Sequence, residues 1–128
     1  MPHYTALVTV LAVMLYFSTG VRVVRARQEF GVSPPATTGN AAFERIFRVQ
    51  ANTLEWMPIF LPLLWLFAFY VSDGWAAAIG AVWMLGRIVY MVGYARAAEQ
   101  REIGFSIQAG SCAVLLIGAL AGIVRAIV

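Results

Sequence analysis

The chain has 128 residues, of which 62% are hydrophobic and 12% are charged, and it carries a net charge of +3. About a quarter of the residues of a soluble domain are charged, so this composition excludes an ordinary water-exposed surface over most of the molecule. Its nine basic residues, all arginine, are too few and too scattered for a nucleic-acid surface. At this length we expect one domain, spanning residues 1–128.

Cysteine and histidine each occur once, as Cys112 and His3. A single cysteine excludes an intrachain disulfide. One histidine and one cysteine cannot supply the ligands of an ordinary zinc or haem site. We therefore expect no metal.

Four apolar stretches follow one another along the chain: about Tyr4–Val24, Arg48–Val71, Trp75–Tyr94 and Phe105–Val128. Each has about the 20 residues that a helix needs to cross a bilayer. The first has the length of a signal peptide, but its nearby basic residues follow it instead of preceding it. The stretches predict an all-α membrane protein, a bundle of four transmembrane helices.

The arginines are distributed unevenly among the connecting loops. The first and third loops carry them, while the middle loop, Ser72–Gly74, has none. The positive-inside rule therefore predicts cytoplasmic first and third loops, with both termini on the other side. This orientation favours a bacterial inner membrane, although a protein of the endoplasmic reticulum would show the same pattern.

Several smaller features shape these segments. Ser33-Pro34-Pro35 in the first loop favours turns and extended backbone over helix. The spacing of Gly118 and Gly122 lets helices approach closely in lipid.

Polar residues form a stripe on the second predicted helix. At 100° per residue they fall within an arc of about 100°, while Gln50 points elsewhere. The members of this stripe are Glu44, Arg45, Arg48, Asn52 and Glu55.

The third helix carries a matching stripe: Arg87, Tyr90 and Tyr94, with Arg101 two turns further on if the helix continues. Helix two enters from the cytoplasm and helix three returns to it, so the two stripes lie at the same depth.

Two interpretations of these stripes remain open. The charges could snorkel to the surface or pair with one another to lock the bundle, which suits Glu44, Arg45, Arg87 and Arg96. They could instead line a wet ligand site, as ionisable residues in membrane segments commonly do. Glu55 favours the second interpretation, because it precedes an apolar run and cannot snorkel far. Pro58 and Pro62 are expected to bend this helix.

Several ordered motifs together resemble the MAPEG family of membrane-associated proteins in eicosanoid and glutathione metabolism. The resemblance runs from about Arg22 to Phe105. Its motifs are VSPPATTG at 32–39, FERIFRVQANTLE at 43–55, PIFL at 58–61, GRIVY at 86–90 and GYAR at 93–96.

The resemblance implies a homotrimer that binds glutathione between neighbouring subunits near the cytoplasmic face. It implies that Arg101 holds the glutathione thiolate. A guanidinium beside the sulfur would lower the pKa of the thiol and so favour the thiolate. The implied glutathione ligands are Arg27, Arg48, Gln50, Asn52, Glu55, Tyr90 and Tyr94.

The implied activity is that of a glutathione transferase acting on apolar electrophiles, with glutathione peroxidase activity toward lipid hydroperoxides as an accompanying expectation. Two positions depart from a leukotriene synthase of the family: Trp56 replaces a tyrosine and Gln28 replaces an arginine. Arg48, which a non-catalytic activating protein of the family lacks, favours an enzyme. A lipid-binding scaffold is the main alternative. A small four-helix transporter is disfavoured, because such proteins use an acidic residue in the first helix and none precedes Glu29.

Overall fold

The computed structural model describes all residues, Met1–Val128, and they form long helices without any strand. Each of the four long helices is sufficiently long and apolar to cross a membrane, so the predicted all-α transmembrane bundle is confirmed. The elements, in chain order, are α1 (His3–Phe30), α2 (Ala41–Tyr70), α3 (Asp73–Arg96), a 3₁₀ turn (Ala98–Arg101) and α4 (Glu102–Ile127).

Short polar side chains fix where the helices begin. The Asn40 side chain accepts a hydrogen bond from the Phe43 backbone N–H, 3.0 Å away, and this starts α2. Asp73, the first residue of α3, accepts hydrogen bonds from the backbone N–H groups of Tyr4 and Thr5 at 3.1 and 2.8 Å. One carboxylate thus satisfies free donors of α1 and ties α1 to α3 on the side of the bundle away from the arginine-rich loops.

Helices α2 and α3 form the centre of the bundle, since each packs against the other three helices. In the half away from the arginine-rich loops, the rings of Phe60 and Trp83 stack with centroids 3.9 Å apart. Leu64 and Leu115 are fully buried around them.

Glycines allow two close helix approaches. A Cβ atom on Gly122 would lie 2.8 Å from the Tyr70 carbonyl oxygen, which confirms the close approach predicted from Gly118 and Gly122. A second approach brings α4 against α3, because a Cβ on Gly104 would overlap the backbone of Tyr90. This contact carries the start of α4 to the polar end of the bundle.

Helix α3 ends at Arg96 and does not continue to Arg101. The next residue, Ala97, is extended, with φ −157° and ψ 144°, and the chain then makes the 3₁₀ turn. A continuous helical stripe from Arg87 to Arg101 is therefore the wrong description. The turn nevertheless returns Arg101 to the same face, with its guanidinium carbon 5.5 Å from the centroid of the Tyr94 ring.

Candidate functional site

A polar groove lies where α2, α3 and the start of α4 meet, at the end of the bundle that bears the arginine-rich loops. Its volume is about 530 Å³ and it opens to the outside of the chain. The groove combines two arginines, a glutamate, a tyrosine and short polar side chains with one aromatic wall. The lining residues are Arg48, Asn52, Tyr90, Arg101, Glu102, Phe105 and Ser106.

Arg48 and Glu55 form a two-pronged ion pair along α2. The two guanidinium nitrogens of Arg48 donate to the two carboxylate oxygens of Glu55 at 3.0 and 3.3 Å. Both side chains are about half exposed, at 50% and 53%. Exposed ion pairs are worth little in stability, so both groups can take other partners at small cost.

Two tyrosines stack on the α3 side of the groove. The rings of Tyr90 and Tyr94 have centroids 5.5 Å apart and an interplanar angle of 10°. Arg101 lies over the outer ring, that of Tyr94, and Arg87 over the inner one, with its guanidinium carbon 4.4 Å from the Tyr90 centroid. Cation–ring contacts of this kind orient a guanidinium without using its hydrogen-bond donors.

Arg87 lies below the groove and is fully buried. Its two terminal nitrogens donate to the side-chain oxygen of Asn52 at 2.7 Å and to the hydroxyl of Thr53 at 2.6 Å. The interpretation that Arg87 snorkels to the surface is therefore wrong, because neighbouring side chains hold it inside the bundle. It does lock α3 to α2, although it does so through neutral acceptors instead of a carboxylate.

Asn52 connects this buried group to the groove. Its oxygen accepts from Arg87, and its amide nitrogen lies 3.5 Å from a carboxylate oxygen of Glu55. Of the predicted stripe on α2, which also included Glu44 and Arg45, the residues Arg48, Asn52 and Glu55 contact one another on one face of the helix.

Arg27 and Gln50 lie on a different side of the molecule. Arg27 donates to the backbone oxygens of Val32 and Ala36 at 3.2 and 2.7 Å, so it orders the first loop. The Gln50 amide lies beside Gly20 of α1. Neither residue lines the groove of the same chain, and the predicted ligand set is therefore divided between two faces.

Sequence reasoning missed two polar residues of the interior. Thr53 accepts from Arg87 and donates to the Val49 carbonyl at 2.7 Å. Gln108 of α4 is fully buried, and neither atom of its side-chain amide has a hydrogen-bond partner within the chain. Threonine gives little signal in a membrane helix, whereas Gln108, a strongly polar side chain in an apolar run, could have been singled out from the sequence.

The arrangement suits a small ligand that carries several charges. Arg48 and Arg101 offer cations to carboxylates or a thiolate, and Glu55 offers a carboxylate to an ammonium group. Tyr90 contributes a phenol, which can donate or accept a hydrogen bond. The edge-to-face pair of Trp56 and Phe105, with centroids 5.8 Å apart, places an apolar wall next to these groups.

Comparison with known proteins gives consistent relatives. The chain is 54% identical over 120 residues to an uncharacterized protein of Synechocystis, covering 94% of this chain and 88% of the relative. It is 40% identical over 116 residues to human microsomal glutathione S-transferase 2, covering 90% of this chain and 79% of the relative.

Bovine leukotriene C4 synthase is 46% identical over 96 residues, which is 75% of this chain and 64% of the synthase. The chain thus spans less than two thirds of that relative. The model of the MAPEG family matches residues 5–121, from the first helix to the fourth. This protein therefore belongs to the MAPEG family.

Proposed function

We propose that this integral membrane protein is a glutathione transferase that joins the glutathione thiolate to apolar electrophiles, and so serves detoxification. The observation that carries the proposal is that Arg48, which is paired with Glu55, lines the same groove as Arg101. Glutathione has two carboxylates, one ammonium group and one thiol, and the groove offers a complement to each kind of group. The relatives of this chain that are named as a glutathione transferase and a leukotriene synthase support the same assignment.

Arg101 is the proposed catalytic residue. Free thiols have a pKa of about 8.5, so little of the thiolate forms at neutral pH without help. A guanidinium beside the sulfur stabilises the charged form and lowers that pKa. The thiolate then attacks the electrophilic carbon, a carbon–sulfur bond forms, and the leaving group departs with its electron pair.

Lipid hydroperoxides are the second proposed substrate class. The same thiolate attacks the outer peroxide oxygen and releases the lipid alcohol, after protonation of its oxygen. A second glutathione then attacks the oxidised sulfur, which gives glutathione disulfide and water. Both reactions need an apolar substrate to reach the sulfur from the lipid side, where Phe105 lines the groove and packs edge to face against Trp56.

The proposed assembly is a homotrimer with glutathione between subunits. The division of the predicted ligands supports it: Arg48 and Asn52 line the groove and both contact Glu55, while Arg27 and Gln50 lie on another side of the chain. A neighbouring copy could bring its Arg27 and Gln50 to the open groove. Native mass spectrometry in detergent tests the assembly, and a dominant monomer or dimer would contradict the between-subunit site.

The proposed location is a bacterial inner membrane, with the groove facing the cytoplasm. The Synechocystis relative is consistent with a bacterial membrane, and the arginine-rich first and third loops support the orientation. In a Cys112→Ala background, an impermeant thiol reagent applied to whole cells should label Asp73→Cys quickly and leave Ala36→Cys protected. The reverse labelling would overturn the orientation.

The purified protein tests the function directly. It should turn over halonitroarenes and lipid hydroperoxides only when glutathione is added, and bound glutathione should show the ultraviolet absorbance of a thiolate. Glutathione binding without a thiolate signal or turnover would favour the lipid-binding scaffold. Absence of glutathione binding by a correctly assembled protein would reject the proposed function.

A further inference from the structure

We infer that Arg87, which has no place in the lining of the groove, is the positioning residue for both sides of it. The inference rests on the proposed function, because the groove it positions is the proposed glutathione site. Two separate chains of contacts run from the Arg87 guanidinium to the groove, one to Arg48 and the other to Arg101.

The burial of Arg87 calls for such a role. The residue lies nine positions before the end of α3, which is about 14 Å along a helix axis. It is fully buried, and no carboxylate lies within ion-pair distance of it. Charged residues at this depth are costly, and in membrane proteins they commonly mark functional positions.

The first chain of contacts passes through the amide of Asn52. Arg87 is purely a donor, so it fixes the Asn52 oxygen toward itself at 2.7 Å. The Asn52 nitrogen must then point the other way, where a carboxylate oxygen of Glu55 lies 3.5 Å away. Glu55 in turn holds Arg48 through two hydrogen bonds. Without Arg87, the Asn52 amide is free to rotate and turn its oxygen toward Glu55. The amide oxygen and the carboxylate repel each other, so Glu55 would no longer be held in place.

The second chain of contacts is a column of stacked groups. Arg87 lies over the Tyr90 ring at 4.4 Å, Tyr90 stacks on Tyr94 at 5.5 Å, and Arg101 lies over Tyr94 at 5.5 Å. Two cations thus enclose two rings. Arg101 is on a 3₁₀ turn, outside α3, and its contact with Tyr94 holds its guanidinium against the column. Arg87 closes the buried end of the column and limits how far the Tyr90 ring can tilt.

The test compares Arg87→Gln and Arg87→Lys with a matched control, Thr53→Val. The control removes one hydrogen bond to Arg87 but leaves both chains of contacts intact. Arg87→Gln should weaken glutathione binding by about tenfold or more and lower kcat, the scale expected for misplaced charged hydrogen bonds. Arg87→Lys, which keeps the charge without the two-pronged donor, should recover part of each loss. Thr53→Val should lower the unfolding temperature but keep glutathione affinity within about twofold.

A readout without glutathione separates this inference from the proposed function. In ¹⁵N-labelled protein, the Asn52 side-chain amide signals should move in Arg87→Gln and stay in place in Thr53→Val. Unmoved signals, or equal losses of affinity in Arg87→Gln and Thr53→Val, would overturn the inference. If Arg87→Gln does not fold, the same comparison is made with Arg87→Lys. A wild-type protein that fails to bind glutathione would reject the proposed function, whereas the amide signals would still decide the role of Arg87.

Discussion

Arg48 and Arg87 belong to the same polar region but are held in opposite ways. The Arg48 side chain is half exposed and bonds to a carboxylate, whereas Arg87 is fully buried and bonds only to neutral oxygens. Water and the lipid headgroups can stabilise Arg48 whenever Glu55 turns to another partner. Arg87 has no such alternative, because losing its acceptors would leave a bare charge inside the bundle.

This difference separates a group that can bind a ligand from one that supports the binding site. A ligand with a carboxylate and an ammonium group can replace both halves of the Arg48–Glu55 pair at once, so no charge is left unpaired. Glutathione has both groups. The same exchange at Arg87 would require a ligand inside the packed bundle, where Asn52 and Thr53 already occupy its terminal nitrogens.

The largest expected effect comes from removing both acceptors of Arg87. The double variant Asn52→Leu with Thr53→Val should lose about 3–5 kcal/mol of stability, because it leaves a buried cation uncompensated. Denaturant unfolding in mixed micelles measures the loss. The matched control is Arg48→Ala, which should cost no more than about 1 kcal/mol, since its pair is exposed. Equal losses of unfolding free energy in the two variants would show that Arg48 and Arg87 do not differ in their contribution to stability.

Ligand affinity should show the reverse order. Arg48→Ala or Glu55→Ala should each weaken glutathione by about 1.5–3 kcal/mol, the usual contribution of a hydrogen bond to a charged group. That corresponds to about 10- to 150-fold in the dissociation constant, which calorimetry can measure. Arg125→Ala, an exposed arginine near the C-terminus, serves as the control and should leave affinity unchanged. A folded Arg48→Ala protein with wild-type affinity would make the Arg48–Glu55 pair structural.

The exposed half of this comparison could be predicted from the sequence. The helical period alone placed Arg48, Asn52 and Glu55 on one face, and the helices cover the predicted apolar stretches. Arg87 could not be assigned in the same way, because its partners depend on the packing of α3 against α2. A periodic pattern describes one helix at a time and contains no information on which residues of two helices meet.

The position of Arg101 shows a second limit. Helical spacing placed it on the stripe of Tyr90 and Tyr94, and it does lie over Tyr94, but a 3₁₀ turn brings it there. The extended residue that ends α3, Ala97, is not a strong helix breaker in sequence. After the break the chain turns back so closely that a Cβ on Gly93 would overlap the carbonyl of Gln100. Residue spacing could not reveal that contact.

Variants of Arg101 test whether an exposed arginine of the groove contributes to the chemical step and not to glutathione affinity. Removing the guanidinium should raise the thiol pKa of bound glutathione by about one unit, because the thiolate loses a nearby cation. At neutral pH, Arg101→Ala should therefore turn over about tenfold more slowly, equivalent to about 1.4 kcal/mol. The pH profile of turnover should move to higher pH by the same amount. Arg101→Lys should partly restore both the turnover rate and the position of the pH profile.

Binding is the control for this prediction. The affinity of Arg101→Ala for glutathione should change far less than that of Arg48→Ala. Wild-type turnover together with an unshifted pH profile would show that Arg101 does not activate the thiol. Tyr90 or Tyr94 would then be the better candidate, because their hydroxyls are the remaining donors on that side of the groove.

The smallest expected effect concerns Gln108, a buried polar residue that, unlike Arg87, has no partner in the chain. A buried amide without hydrogen bonds costs free energy, and an apolar side chain of similar size avoids that cost. Gln108→Met should therefore raise the free energy of unfolding by about 1 kcal/mol without changing glutathione affinity. Gln100→Met makes the same change at an exposed position and should be neutral. If Gln108→Met destabilises the protein instead, the Gln108 amide makes hydrogen bonds in the membrane-embedded protein. The polar interior around Arg87 would then extend to α4.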